Sequence, residues 1–345
     1  MLARRQFLMG AAPALLLASR AADAQDKPTI RFVLDWKWEG EHAQFTVPLT
    51  DGTFSKLGID VKLDRGAGSG DTVAKVGSGA YDMGLADTMT MVRFNAANPD
   101  RKLISVCVVQ DSSATGVVAL KARGINAPKD LEGKKIYAPV ADAGRQIFPV
   151  FAKANDIDLS KINWNTVTGD LRDSMLAKRE ADAVTCNTVT TLMNLKAVKF
   201  PESELSVLYF VRHGVDICGS SIVTTQAFAE KNPGAIKKFV TGLVHGLNVM
   251  IDDRNKSMAS LKTFDPLLND DIEKDRMVLS LNTMLVTQNV LKNGYSAMDM
   301  GRLDKMLKAV VPAFDIAIPP ATDVYIDKYL PSAADRTVHS WKLPA

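Results

Sequence analysis

Two indoles and an imidazole, Trp36, Trp38 and His42, fall within one short stretch of the chain. An indole can stack on a planar solute, or it can plug a rim or a core. His42 can hydrogen-bond a solute, or cap and pack locally. Further along, Gly66-Ala-Gly-Ser-Gly-Asp71 reads as the opening of a helix. Free backbone N–H groups and the positive dipole end there would accept an anionic or carbonyl group, with Ser69 as side-chain donor. A plain capped turn is the alternative. Gly144 and Arg145 are expected at a second helix mouth, with Pro149 in its first turn. Arg145 would then grip a carboxylate, sulfonate or phosphate in a bidentate contact, or else sit in a surface ion pair. Asp87 closes a short strand and can accept a ligand N–H, while Ser112 and Ser113 fall on a polar hinge segment. Asn187 ends an equivalent strand, and Asp216 flanks a second polar, glycine-bearing stretch.

These groups suit binding better than turnover. The four histidines show no metal-ligand spacing, and the sequence has neither a Gly-x-Ser-x-Gly elbow nor a P-loop. No cofactor, no metal site and no enzymatic activity are expected. The three cysteines, Cys107, Cys186 and Cys218, are far apart and odd in number, which favours buried free thiols over a disulfide framework. A Cys186–Cys218 bridge is the alternative.

The elements that would position these residues repeat. The first copy reads as strand (60–63), glycine-rich turn, helix (71–78) and strand (82–86). The second reads as strand (164–167), turn, helix (170–179) and strand (183–185). Alternating strands and helices predict an α/β fold with parallel sheets, and two such units predict two lobes around a cleft, where small molecules bind. The segments around 110–116 and 214–221 read as two crossings between the lobes. Lobe 1 is therefore discontinuous, 25–112 and 219–345, and lobe 2 is 113–218. Helices are expected over 42–57, 90–98, 272–286 and 299–310. From Asn232-Pro233 the chain turns helical, with Ile236, Phe239, Val240, Leu243, Val244 and Leu247 on one stripe.

Residues 1–24 read as an export signal. Arg4-Arg5-Gln6-Phe7-Leu8 precedes the apolar run 11–18, and Ala22-Asp23-Ala24 offers a small-x-small cleavage pattern. The paired arginines point to the twin-arginine route, and the destination is the periplasm. Cleavage removes Arg4, Arg5, Arg20 and Asp23, taking the formal net charge from +3 to +1 over the remaining 321 residues. A nearly neutral chain makes no electrostatic case for nucleic acid, and no later apolar run approaches the ~20 residues of a membrane span. A soluble monomer is expected.

Four stretches carry a family resemblance: Leu34–His42 (LDWKWEGEH), TFSKLGIDVKL, Gly79–Asp87, and Ile125–Ile136 (INAPKDLEGKKI). Together they resemble the periplasmic solute-binding proteins of ABC importers, in the group related to thiamine-pyrimidine synthases and taurine/alkanesulfonate-binding proteins. The resemblance covers nearly the whole chain after residue 24. It implies a type II periplasmic-binding-protein fold, with two lobes that close on a small organic solute and dock on an inner-membrane permease. A pyrimidine-type heterocycle, or another planar or anionic solute, is the expected cargo. A synthase of this group is the alternative. The resemblance implies that such an enzyme consumes a histidine, at the place His42 occupies, and carries a cysteine-rich iron motif. Here the matching stretch, Asp216-Ile-Cys-Gly-Ser-Ser221, holds one cysteine.

Overall fold

The computed structural model describes residues 27–343, so the expected export segment lies outside the described residues. Among the described residues, ten strands make two five-stranded sheets. The first contains β1 (Thr29–Val33), β2 (Asp60–Asp64), β3 (Met83–Asp87), β4 (Leu103–Val108) and β10 (Ser220–Thr225), in the order β2-β1-β3-β10-β4. The second contains β5 (Thr115–Leu120), β6 (Lys135–Ala138), β7 (Asn163–Thr166), β8 (Ala183–Asn187) and β9 (Leu205–Tyr209), in the order β7-β6-β8-β5-β9. In each sheet three strands run parallel and the next is antiparallel: β10 beside β3, and β5 beside β8. Strands β3, β4 and β5 are buried along their whole length. That is why they read as continuous apolar runs and not as alternating ones.

The internal repeat is present element for element. Strand, helix and strand run Asp60–Asp64, Ser69–Gly77 and Met83–Asp87 in one sheet, and Asn163–Thr166, Gly169–Ala177 and Ala183–Asn187 in the other. Two crossings, 109–114 and 210–219, join the sheets and are tied to each other. Gly219 N–H donates to Gln110 O at 2.9 Å, and Gln110 N–H donates to Ser220 O at 3.0 Å. The fold is the α/β, two-lobed type II periplasmic-binding-protein fold with two crossings and a helical C-terminal region.

The helix Pro233–Asp252 buries the whole apolar stripe read from the sequence. Its Phe239 ring stacks between Phe32 and Phe54, at 4.9 and 5.3 Å between centroids. The second lobe has its own aromatic centre, where Phe151 and Phe210 stack at 4.3 Å. One apolar cluster runs through both lobes, from Phe32 and Phe239 to Phe148 and Phe210, and a smaller one around Val118 and Leu176 lies within the second.

Several expectations are corrected. The helix expected over 42–57 is interrupted at Asp51-Gly52 and becomes Ala43–Thr50 and Thr53–Lys56. The one expected over 272–286 ends at Ser280 and runs on as a π turn, Leu281–Leu285. Pro149 does not sit in a first turn. It lies inside the helix Ala143–Ala154, whose buried residues Ile147, Phe148, Val150 and Phe151 surround it in sequence. Packing of that face outweighs the lost backbone bond, a cost of about 3 kcal/mol in an exposed helix. The three cysteines are buried and unbridged.

Candidate functional site

The parallel strands of both sheets point their C-terminal ends at the same space, where ligands of open α/β sheets sit. Asp35 and Trp36 follow β1, Gly68 and Ser69 follow β2, and Asp87 ends β3. From the facing lobe come Asp142 and Ala143 after β6, Asn187 at the end of β8, and Arg172 from the helix Gly169–Ala177. Gln110 and Gly219 of the crossings and Ser220 at the start of β10 close the back. The cleft leaves about 50 Å³ for the centres of water-sized molecules. On a scale of ~10–15 Å³ per water, that is room for a few waters or a small single-ring solute.

The lobes meet around this space. Gly70 N–H donates to Ala141 O across the cleft mouth at 3.0 Å. Thr190 Oγ1 donates to Glu39 Oε2 at 2.7 Å. Arg276, on the helix Asp270–Ser280, reaches across to Thr190 O (3.0 Å) and Asn194 Oδ1 (2.8 Å). Its own charge is met by Glu273 and Glu39 at 2.8 and 3.3 Å.

The walls are acidic. Asp35, Glu41, Asp87 and Asp142 all line the cleft, against a single guanidinium, Arg172. Arg172 is held by the protein's own carboxylates: it bonds Asp173 at 2.9 Å and Asp142 at 3.1 Å, and its guanidinium lies over the Trp36 ring at 5.0 Å. Burial pushes the Asp87 carboxyl up to about 6, against the hydrogen bonds it accepts from Thr90 and Met89. Burial likewise pushes Glu41 up to about 7, opposed by His42 and reinforced by Glu39 and Asp35. Burial alone would lower the His42 imidazole, but Asp35, Glu41 and Glu39 together raise it. The His42 Nε2 to Asp35 Oδ1 separation, 3.5 Å, is a charge contact longer than a good hydrogen bond.

The residues singled out in the sequence divide between the cleft and elsewhere. Trp36, Ser69, Asp87 and Asn187 line the cleft. Ser69 Oγ accepts from Asp87 N–H at 2.9 Å, so it fixes a neighbouring wall residue. Trp38 packs on Phe264, with centroids 4.7 Å apart. His42 is buried behind Asp35 and Glu41, at 1% exposure, and does not line the cleft. Ser112 and Ser113 lie in the crossing, where Ser113 Oγ donates to Thr115 Oγ1 at 2.9 Å. Gly144 is buried beneath the cleft wall, where a Cβ would meet Asp142 Oδ1 and Cys186 N at 3.0 and 3.1 Å. Arg145 turns away: its Nη1 donates to Ala138 O and Thr166 Oγ1, both at 3.0 Å, and its guanidinium lies over Trp164 at 4.8 Å. Asp216 is exposed on a different surface, near Arg302 and Lys305.

The glycine-rich turn also differs from expectation. The N–H groups of Gly66, Gly68 and Gly70 donate to Trp36 O, Asp35 O and Ala141 O, so this turn is a brace between chain segments and not a cradle of free amides. Sequence reading missed Arg172, Asp142, Glu41 and the Glu39–Arg276 contact. Glu41 stood inside a stretch already singled out and Asp142 two residues before Gly144, but nothing local told which carboxylates face inward.

Residues 39–257 match the family described as NMT1/THI5 like. The chain belongs to this family. One relative, the formylaminopyrimidine-binding protein of Halalkalibacterium halodurans, is 23% identical over 272 residues, which is 76% of this chain and 80% of the relative. Another, a 4-amino-5-hydroxymethyl-2-methylpyrimidine phosphate synthase of Saccharomyces cerevisiae, is 26% identical over 255 residues, 70% of this chain and 73% of the enzyme. Among solved structures, the alkanesulfonate-binding protein SsuA of Xanthomonas axonopodis pv. citri bound to MOPS has the same fold. Its TM-score is 0.64 at 11% identity, covering 86% of this chain and 98% of that one. The relatives of this chain thus include both a binding protein and a synthase.

Proposed function

We propose that this chain is a substrate-binding receptor that closes its two lobes on a small planar organic solute, of the pyrimidine type, and delivers it to an ABC importer. The observation that carries this reading is the cleft itself, walled by residues of both sheets and small enough to enclose one ring. Hinge closure about paired crossings is the mechanism such a scaffold supports. Only a solute that favours the closed form can bias the equilibrium, so the work is differential binding. The formylaminopyrimidine-binding relative supports the choice of solute.

In this reading lobe 1 is 25–112 with 219–345, and lobe 2 is 113–218. Trp36 supplies the aromatic wall, and Asp87, Ser69 and Asn187 the polar contacts. Trp36→Ala is expected to weaken solute binding by about 1–3 kcal/mol, the size of a lost aromatic or hydrogen-bonding contact. Isothermal titration of wild type and variant against an aminopyrimidine panel measures it, and equal affinities would remove Trp36 from the site.

Export to the periplasm through residues 1–24 belongs to the same reading. Replacing Arg4-Arg5 by Lys-Lys should leave precursor in the cytoplasm on cell fractionation if the twin-arginine route is used. Normal processing of that variant would discard the route. The synthase relatives make an enzyme the second reading. It would consume His42, and intact-mass measurement after incubation with candidate substrates would reveal the altered side chain.

A further inference from the structure

A side-chain carboxamide has an acceptor end and a donor end, and a protein N–H bonded to its oxygen decides which end is left over. Gln110 and Asn187 meet the cleft in this way. Gln110, in the first crossing, is 7% exposed and lines the back wall. Its Oε1 accepts from Ser220 N–H at 3.0 Å. The side chain lies flat on Gly219, where an added Cβ would stand 2.4 Å from Gln110 Oε1 and 2.8 Å from Gln110 Cβ. The carboxamide cannot turn over without stranding the N–H of Ser220, a buried residue. Among the described residues no hydrogen bond takes its Nε2, which is the end left for the cleft.

Asn187 ends β8 in the facing lobe. Its Oδ1 accepts from Val189 N–H at 3.0 Å, as the cap of the helix Thr188–Ala197. Its Nδ2 donates one hydrogen to Met284 Sδ at 3.4 Å. Met284 lies in the π turn Leu281–Leu285 of the C-terminal helical region, so the sulfur fixes the amide from the other lobe and only when the lobes are together. The second N–H stays free on the lining. Because this cap is neutral, the positive end of the helix is not cancelled, and it adds to the pull on an electron-rich atom.

We propose that Gln110 and Asn187 are the specificity-determining donors of the cleft, and that they select a ring carrying two hydrogen-bond acceptors, ring nitrogens or carbonyl oxygens. This rests on the reading of the chain as a solute receptor and deepens it. Closing on a ring without acceptors would bury both amino groups unbonded, so the discrimination works against such solutes.

The test uses the full chain, unfolded and refolded to remove carried-over solute, and titrates 4-aminopyrimidine and aniline calorimetrically at mildly alkaline pH. Both probes are uncharged there and carry one exocyclic amine, and they differ in the two ring nitrogens. Wild type is expected to bind 4-aminopyrimidine at least about tenfold more tightly. Gln110→Glu and Asn187→Asp keep the oxygens that Ser220 and Val189 use, and replace each amino group by an acceptor. Each should cut the preference for 4-aminopyrimidine about fivefold or more. A change that merely loosened the fold would weaken both rings alike and leave the ratio as it was. Equal binding of the two rings by wild type, an unchanged ratio in either variant, or no binding of 4-aminopyrimidine would overturn the proposal. The receptor reading is judged separately, by mass spectrometry of what native, never-unfolded protein releases on denaturation. A released solute without acceptors sinks the two donors and keeps the receptor; no released solute and no binding of either ring sinks both.

Discussion

Gly68→Ala should weaken solute binding at least about tenfold while leaving both lobes folded. Gly68 has φ +123°, and a Cβ there would stand 2.4 Å from Ala141 O and 2.7 Å from Ala141 C. Ala141 belongs to the opposite lobe, so the collision exists only when the lobes are together. Its backbone cannot simply withdraw, because the next residue, Asp142, is held by Arg172 and Thr185 at 3.1 Å each. The left-handed backbone adds strain of about 1–3 kcal/mol in either form. Gly79→Ala separates the two effects: Gly79 has φ +78° with nothing within 4 Å of the would-be Cβ. Gly79→Ala should lower unfolding free energy by about 1 kcal/mol with affinity unchanged. Gly68→Ala should show a similar stability loss together with affinity reduced at least tenfold, a further ~1.4 kcal/mol. Urea unfolding and calorimetric titration of the two variants decide it. Wild-type affinity in Gly68→Ala would mean that solute is bound with the lobes further apart.

Arg172→Met is expected to be the most destabilising single change at the site, by about 3–5 kcal/mol near neutral pH, because it strands two buried carboxylates. Asp142 and Asp173 are 4% and 8% exposed, and both lean on this guanidinium. Burial works to raise Asp173, but Arg172 and its hydrogen-bonding neighbours bring it below the ordinary carboxylate value. In the wild type, Asp173 thus contributes stability above the unfolded carboxylate pKa that is lost as pH falls through the lower folded value. Without Arg172 the sign reverses for Asp173, and Asp142, which burial already holds above the ordinary carboxylate value, rises further, so folding takes up protons. The variant's deficit should therefore be widest above neutral pH and shrink toward about pH 4, where both groups can be neutral. Unfolding curves across that range test this, and a deficit independent of pH would remove the carboxylates as its cause. Adding Asp142→Asn and Asp173→Asn should recover part of the loss.

How much was legible in the sequence follows the range of the interactions. The repeat was legible because strand, turn and helix signals are local, and Asp60–Asp64 and Asn163–Thr166 lead into equivalent helices. Trp36, Ser69, Asp87 and Asn187 were legible because strand ends in this topology all face one space. The arginines show the limit. Arg145 sits early in a cleft-facing helix, the place a local argument prefers. Its side chain instead folds back on Ala138 O and the Trp164 ring. Arg172 lies in the helix of the second repeat and reaches the cleft wall because Asp142, contributed from after β6, draws it there. Which of two helical arginines turns inward depends on a residue thirty positions away, and no local pattern encodes it. The same holds for Arg276 and Glu39, which meet only after the C-terminal helices pack.

Strand β10 sits between β3 and β4, and Thr88 Oγ1 lies 2.7 Å from Ser221 Oγ across a separation of 133 residues. On a ribosome, the second lobe is synthesised without interruption and can assemble as soon as it emerges. The first cannot close its sheet until residues 220–225 arrive, and until then β4 and the far edge of β3 have no strand between them. Such edges invite pairing with other chains. The order of manufacture thus makes the half begun first the half finished last.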